Sequence, residues 1–364
     1  MINQTLNIIG TQDNQQIAVW HITDDEFKRT CCDVQTNNQN NSNKKQNLLF
    51  IHGAFSDKSV CLGIASYFAS LGHQCFIMEW RGHGASAQPK MPYHLEDVAF
   101  FDVKATFHYL LDELNLDNLH CITHSGGGIC LTMFLTRHPE FVDKISSMTM
   151  FACQAFAAAN TPSSYTKLLL SKAVTRQIGI IKGKSLNLGT MNESYYLLSQ
   201  WMDWNLNRNF SSYVSTPISQ QLAASAQVIA KPLVKPVLNS FVKPLVKSMA
   251  KPVPKQARLN VTKLARSNSR PKDTSPPIDY RSLMPNITVP IYSICGTGDS
   301  VAPPRGCLKY LQAFKNSKNQ FREFGTAHGN LENYNHTRIF LSRNAATEVW
   351  PSALDWIERN SKEA

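Results

Sequence analysis

Short apolar runs alternate with longer segments of helical spacing along most of this chain. The runs are "NLLFIHG" (47–53), "CFIMEW" (75–80), "LHCITHS" (119–125), "ISSMTMFAC" (145–153) and "PIYSICGTGD" (290–299), with a shorter one, "FREFG", at 321–325. Between them, residues 58–71, 94–115, 126–138 and 304–315 read as helices, and a last helix is expected over 343–359. A strand with one wet face alternates apolar and polar residues, so a continuous apolar run means cover on both faces. Intervening helices supply that cover when the strands are parallel. The pattern predicts an α/β fold built on a mostly parallel sheet. Residues 5–22 do alternate, and predict a leading hairpin with Asp13-Asn14 at its turn.

The pattern stops over 154–285, where no strand signal is found, and then resumes. The chain therefore reads as a core formed by 1–153 and 286–364, with 154–285 inserted as a cap. A polar, Asn-rich stretch at 29–46 reads as a loop insertion. The first part of the long insertion is aromatic, as in "YYLLSQWMDWNLNRNF" (195–210). The second part repeats in fours: KPLV, KPVL, NSFV, KPLV, KSMA, KPVP, KQAR over 231–258. Residues 231–272 hold eleven Lys or Arg and no Asp or Glu. Removing them from the 37 basic residues leaves 26, against 26 acidic, so this one segment carries the whole net charge of +11.

Composition narrows the class. A hydrophobic fraction of 43% suits a globular core. No apolar run is long enough to span a bilayer, and no basic start leads into an apolar leader. The nine cysteines are odd in number and scattered, several of them in apolar runs, as buried thiols in a reducing compartment would be. No Cys/His set has zinc-ligand spacing, so no metal is expected. These readings predict a cytoplasmic protein.

Three polar residues stand just past strand ends, where a parallel α/β sheet gathers its chemistry. Ser125 follows the run at 119–124, Asp299 closes "ICGTGD", and His328 lies in "GTAHGN" after 321–325. Singly, each has a plain structural reading: a turn serine, a helix cap and a loop histidine. Together they form the set that makes a serine hydroxyl nucleophilic. The histidine takes its proton and the carboxylate orients the histidine. Ser125 begins "SGGG", a strand-to-helix turn that resembles a Gly-x-Ser-x-Gly nucleophile elbow with Thr123 in place of the first glycine. A β-branched residue is acceptable at a strand end.

The motifs carrying the resemblance are His52-Gly53 after a buried strand, Arg81-Gly82-His83-Gly84, His124-Ser125-Gly126-Gly127, Gly296-Thr297-Gly298-Asp299 and Ala327-His328-Gly329. With them the chain resembles the α/β-hydrolase superfamily over about 47–153 and 286–359. The run from Glu96-Asp97 through Phe151 is similar to its acid-lipase-like, esterase branch. The resemblance implies Ser125 as nucleophile, His328 as base and Asp299 as orienting acid. It also implies an oxyanion hole from the N–H groups of Gly126 and Ala54, or Phe55 in place of Ala54. Arg81-Gly82-His83-Gly84 reads as a structural loop, with Arg81 and His83 left without a role.

The resulting expectation is a serine hydrolase of carboxylic esters, small or lipid-like, working without a cofactor. Tyr195, Tyr196, Trp201 and Trp204 are candidates to line its acyl pocket. Amidase or peptidase action and acyl transfer would use the same residues. A membrane-associated binding protein built on a hydrolase scaffold is the alternative from another class. In the tetrads, prolines oppose one long helix, and a period of four winds the lysines around a helix of 3.6 residues per turn. Apolar pairs alternating with lysines suit an anionic membrane interface at the inner face of the membrane. With Phe241 alone able to stack on a base, nucleic acid is the weaker partner.

Overall fold

The computed structural model describes residues 1–25, 45–213 and 277–361. The tetrads, and all of the polar stretch 29–46 but its last two residues, lie outside the described residues. Eight strands form one sheet: β1 Ile2–Gly10, β2 Gln16–Asp24, β3 Asn47–Ile51, β4 Gln74–Glu79, β5 Leu119–His124, β6 Ile145–Phe151, β9 Ile291–Gly296 and β10 Gln320–Phe324. Two further strands, β7 Ile180–Ile181 and β8 Glu193–Ser194, pair antiparallel as a small separate hairpin. The sheet order is β1-β2-β4-β3-β5-β6-β9-β10. Strands β4 to β10 of this sheet run parallel, while β2 is antiparallel to both neighbours.

The apolar runs of the sequence are the buried strands. Every residue of β5, β6 and β9 is buried. Two apolar clusters cover the two faces. One holds Val103, Phe107, Met133 and Phe134, and the other Ile64, Phe68, Ala353 and Trp356. The first belongs to α2 (95–113, with π-helical stretches at Val98–Val103 and Tyr109–Glu113) and α3 (Gly126–Arg137). The second belongs to α1 (Lys58–Ser70) and to the C-terminal helix Trp350–Arg359. The helix expected over 343–359 is in fact two, Arg343–Glu348 and Trp350–Arg359. Pro351 is the reason: a proline lacks the N–H that a helix interior needs but is accommodated in a first turn.

Residues 154–213 lie over the carboxyl ends of the strands. They form α4 (Pro162–Ile178), the β7–β8 hairpin and α5 (Tyr195–Asn207). A buried ion pair, Lys172 with Asp203, ties α4 to α5. The hairpin corrects the sequence reading, which found no strand in this segment; two-residue strands are too short to show an alternation.

Chain order doubles back at the centre of the sheet. The chain passes from β3 outward to β4, then returns to β5 on the other side of β3. The loops after β3 and β5 therefore diverge from adjacent strand ends and leave a crevice between them, the usual ligand position in such sheets.

Candidate active site

Strand β5 ends at His124 and α3 begins at Gly126, leaving Ser125 alone on the turn. Its backbone is at φ 52°, ψ −120°, a conformation that few non-glycine residues adopt. The surroundings allow the turn because its glycines have no Cβ. One added to Gly127 would stand 2.2 Å from the carbonyl of Ile51, and one added to Gly128 would stand 2.5 Å from Cys153 Sγ and 2.8 Å from Thr123 Oγ1. Gly128 thus explains how Thr123 fits where a glycine is usual: the room its hydroxyl needs is left by a glycine one turn ahead.

Asp299 follows β9 and is buried. Its Oδ1 accepts hydrogen bonds from the N–H groups of Val301 and Ala302, both at 2.8 Å. Its Oδ2 accepts from His336 Nδ1 at 2.7 Å, and His336 Nε2 lies 2.8 Å from Ser125 Oγ. Burial pushes the Asp299 carboxyl up, but the hydrogen bond and charge of His336 and the two N–H groups outweigh it. The acid is held below its ordinary value and stays ionised.

The structure therefore brings together Ser125, Asp299 and His336. His328, the histidine expected from sequence, does not join them. It ends a short 3-10 turn, Thr326–His328, with its side chain half exposed and Nε2 3.8 Å from the Glu323 carboxylate. The chain instead carries His336 back to the site along the loop after β10. Tyr334 anchors that loop: its carbonyl accepts from Gly298 N–H at 3.0 Å and would lie 2.1 Å from a Cβ on Gly296. The glycines of Gly296-Thr297-Gly298-Asp299 make room for this docking. His124 adds a second anchor, its Nε2 donating to the His336 carbonyl at 2.8 Å. Burial, and then the nearby His336, push His124 down to about 3, so it is neutral.

The loop after β3 brings Ala54, expected from sequence as an oxyanion donor, close to Gly126 on the turn. The Ala54 nitrogen lies 3.7 Å from where a Cβ on Gly126 would be, and both residues line the same cavity as Ser125. Phe55, the alternative to Ala54, also lines the cavity, but its N–H is engaged: it donates to Glu193 Oε2 at 3.3 Å. A family model described as the alpha/beta hydrolase fold matches residues 46–333. The chain belongs to the α/β-hydrolase fold family.

Similar solved structures include an esterase from Thermogutta terrifontis, 12% identical with a TM-score of 0.51, covering 98% of this chain and 100% of that one. Alpha/beta hydrolase domain-containing protein 10 from mouse is 12% identical with a TM-score of 0.53, covering 98% and 99%. An esterase from Exiguobacterium antarcticum is 13% identical with a TM-score of 0.52, covering 97% and 99%. At such identities the likeness is one of fold. No curated protein sequence matches the chain.

In this α/β hydrolase a cavity of about 300 Å³ opens above Ser125, Gly126 and His336. Its upper wall is mostly apolar, with Leu170, Val174 and Ile178 at helical spacing along α4 and Leu197 and Trp201 on α5, while Lys167, Ser171 and Thr175 of α4 also line it. Of the four aromatic residues expected there, Trp201 is a lining residue. Trp204 is buried core, with Nε1 donating to the Ser211 carbonyl at 2.8 Å. Tyr195 and Tyr196 pack against each other, and Tyr196 faces His94, away from the cavity. Helical phase does not separate the two tryptophans, since residues 197, 201 and 204 fall on one stripe; packing does, with Trp201 at the cavity and Trp204 edge-on to Phe210. Sequence reasoning missed His336 because it ranked histidines by nearness to the strand end. His328 and His336 are the two histidines after residue 138, so the candidates numbered two.

Proposed function

We propose that this α/β hydrolase cleaves carboxylic esters with an apolar acyl part, by way of an acyl-enzyme on Ser125. The observation that carries the reading is the unbroken line from Ser125 Oγ through His336 to Asp299, at 2.8 and 2.7 Å. His336 Nε2 takes the hydroxyl proton as Oγ attacks the ester carbonyl carbon. His336 Nδ1–H, held by the ionised Asp299, keeps the ring in the tautomer that leaves Nε2 open to the serine. The N–H groups of Ala54 and Gly126 receive the negative charge of the tetrahedral oxygen. The alkoxide leaves with the proton from Nε2, and a water repeats the sequence on the acyl-enzyme. The wall of Leu170, Val174, Ile178 and Trp201 favours an alkyl acyl chain over a charged one.

The seven cysteines among the described residues are all free and buried, which suits a reducing compartment. Contact of the tetrads with anionic lipid stays a separate proposal. It is tested by sedimentation with anionic and neutral vesicles, with and without 231–258.

Hydrolysis of p-nitrophenyl esters of graded chain length by the purified protein tests the proposed activity, together with labelling by a fluorophosphonate. Turnover and labelling that both vanish in Ser125→Ala are expected. A wild-type protein that neither turns over any ester nor takes the label sinks the reading.

A further inference from the structure

We propose that Glu193, on the β7–β8 hairpin, is a positioning residue for the oxyanion hole, holding Phe55 so that Ala54 faces the cavity. The inference rests on the esterase reading for its catalytic consequence and on geometry for the clamp itself.

Phe55 has φ 60°, a left-handed backbone that a bulky side chain adopts only when its surroundings impose it. Those surroundings belong to the hairpin segment. The Phe55 N–H donates to Glu193 Oε2 at 3.3 Å, and its carbonyl accepts from the Met191 N–H at 2.9 Å. Two glycines of the same segment are shaped to it. A Cβ on Gly189 would stand 2.2 Å from the Phe55 carbonyl, and one on Gly183 would stand 2.9 Å from its ring. The chain thus turns at Phe55 because residues 183–193 grip it from both sides. Both Ala54 and Phe55 line the cavity, but of the two candidate N–H groups in the loop the grip engages that of Phe55.

Glu193 is itself keyed to the body of the fold. It is 1% exposed, and a buried carboxylate must be paired. Oε1 accepts from the Ser194 N–H at 3.1 Å, and Oε2 lies 3.1 Å from His83 Nε2. The other ring nitrogen of His83 lies 3.1 Å from the Arg81 carbonyl, with the Tyr93 hydroxyl at 3.4 Å. A carbonyl and a carboxylate both accept, so a doubly protonated His83 is satisfied at both nitrogens. Arg81 fixes the loop beneath through Asp102 and Asp13, each at 2.7 Å. The Arg81-Gly82-His83-Gly84 loop, which the sequence alone left without a role, is the anchor of this clamp. Binding the acyl chain under the hairpin and forming the oxyanion hole then become one event, because the same segment does both.

The test compares wild type with Glu193→Ala and Glu193→Asp. The readouts are kinetics on p-nitrophenyl butyrate, affinity for an alkyl trifluoromethyl ketone, and amide hydrogen exchange at Phe55. The ketone's serine adduct places a negative oxygen in the hole. With Glu193→Ala, kcat is expected to fall about 10–100-fold, somewhat less than loss of a whole oxyanion donor, with KM within about threefold of wild type. Ketone affinity is expected to fall in step with kcat/KM, and exchange at Phe55 to rise at least about tenfold while β5 and β6 stay protected. Glu193→Asp keeps a charge for His83 but draws the carboxylate back from Phe55. It is the deciding variant if the alanine form does not fold, with a several-fold loss of kcat and faster Phe55 exchange expected. Unchanged kcat with unchanged Phe55 exchange in the variant that folds overturns the clamp, as does a loss expressed in KM alone. Should wild type lack esterase activity, the proposed function fails and the exchange readout alone decides the clamp.

Discussion

Ser125 stands on a turn packed against buried backbone, whereas His336 stands on a loop whose residues from 326 to 337, the buried Tyr334 apart, are half-buried or exposed. Sterics hold the serine. Gly127 and Gly128 let the backbone of β3 and the side chain of Cys153 come so close that the turn has nowhere else to go. Polar contacts hold the histidine: Asp299 at its ring, His124 at its carbonyl and Gly298 at the carbonyl of Tyr334. The elbow depends on glycines immediately beside it in sequence, even though the groups they admit, the Ile51 carbonyl and the Cys153 side chain, lie far along the chain. The histidine held by hydrogen bonds depends on partners far away in the chain, here 37 and 212 positions off. The two arms of one site should therefore fail in different ways.

The largest expected effect asks whether the two arms belong to one machine. Ser125→Ala and His336→Ala should each lower kcat by about 10⁴–10⁶-fold, and the double variant should be little worse than either. Asp299→Asn should lose about 10⁴-fold, because the ring then loses the partner that selects its tautomer. His328→Ala should stay within about twofold of wild type. Steady-state rates on one soluble ester check all four, and a His328 variant more damaged than the His336 variant would return the base to the strand end.

Steric support is probed next. Gly128→Ala inserts a methyl against Cys153 and Thr123 and should cost about 1–3 kcal/mol of stability. Adding Thr123→Ala should recover part of that. Thermal melts of the single and double variants measure it, and a Gly128→Ala protein as stable as wild type would show that the turn is not held by crowding.

Hydrogen-bonded support should give a milder loss. His124→Ala removes the donor to the His336 carbonyl and should lower kcat about tenfold, equivalent to roughly 1.4 kcal/mol, together with the melting temperature, since the buried ring also stacks on Phe340. A purely structural role would lower the melting temperature and leave kcat intact.

Smallest of all is a pH effect that reaches the polar supports and leaves the elbow untouched. Burial pushes the His83 ring down, but the hydrogen bond and charge of Glu193, with help from the Arg81 carbonyl and the charge of Glu79, outweigh it and hold its pKa above the ordinary value. His52 beside it is pushed down to about 3, by burial first and then by His83, and stays neutral; burial raises the Tyr93 hydroxyl, which stays protonated. A raised pKa means that the contribution of His83 is complete below its unfolded value of about 6.5 and is lost as pH rises through the folded pKa. Asp299 is the opposite case: its contribution is lost as pH falls through its lowered folded pKa. Thermal stability should thus decline from near neutrality upward, and His83→Gln should flatten that limb. Melting curves that superimpose for the two proteins above neutrality would mean that the ring is not charged.

Much of this was legible in the amino-acid order. Apolar runs separated by helical spacing determined the parallel sheet, since a strand buried on both faces cannot hide its composition. The elbow at Ser125 and the acid at Asp299 were readable for the same reason: they lie one and three residues past a strand end, and local sequence determines local turns. Phe55 as against Ala54, Trp204 as against Trp201, and above all His328 as against His336 were decided by the tertiary structure. A loop's path depends on where its carbonyls find donors. The carbonyl of Tyr334 found Gly298, and that of His336 found His124, pairings that no spacing along the chain announces. Sequence settles what is near along the backbone, while packing settles what is near in space, and the histidine of this site is near its partners in space alone.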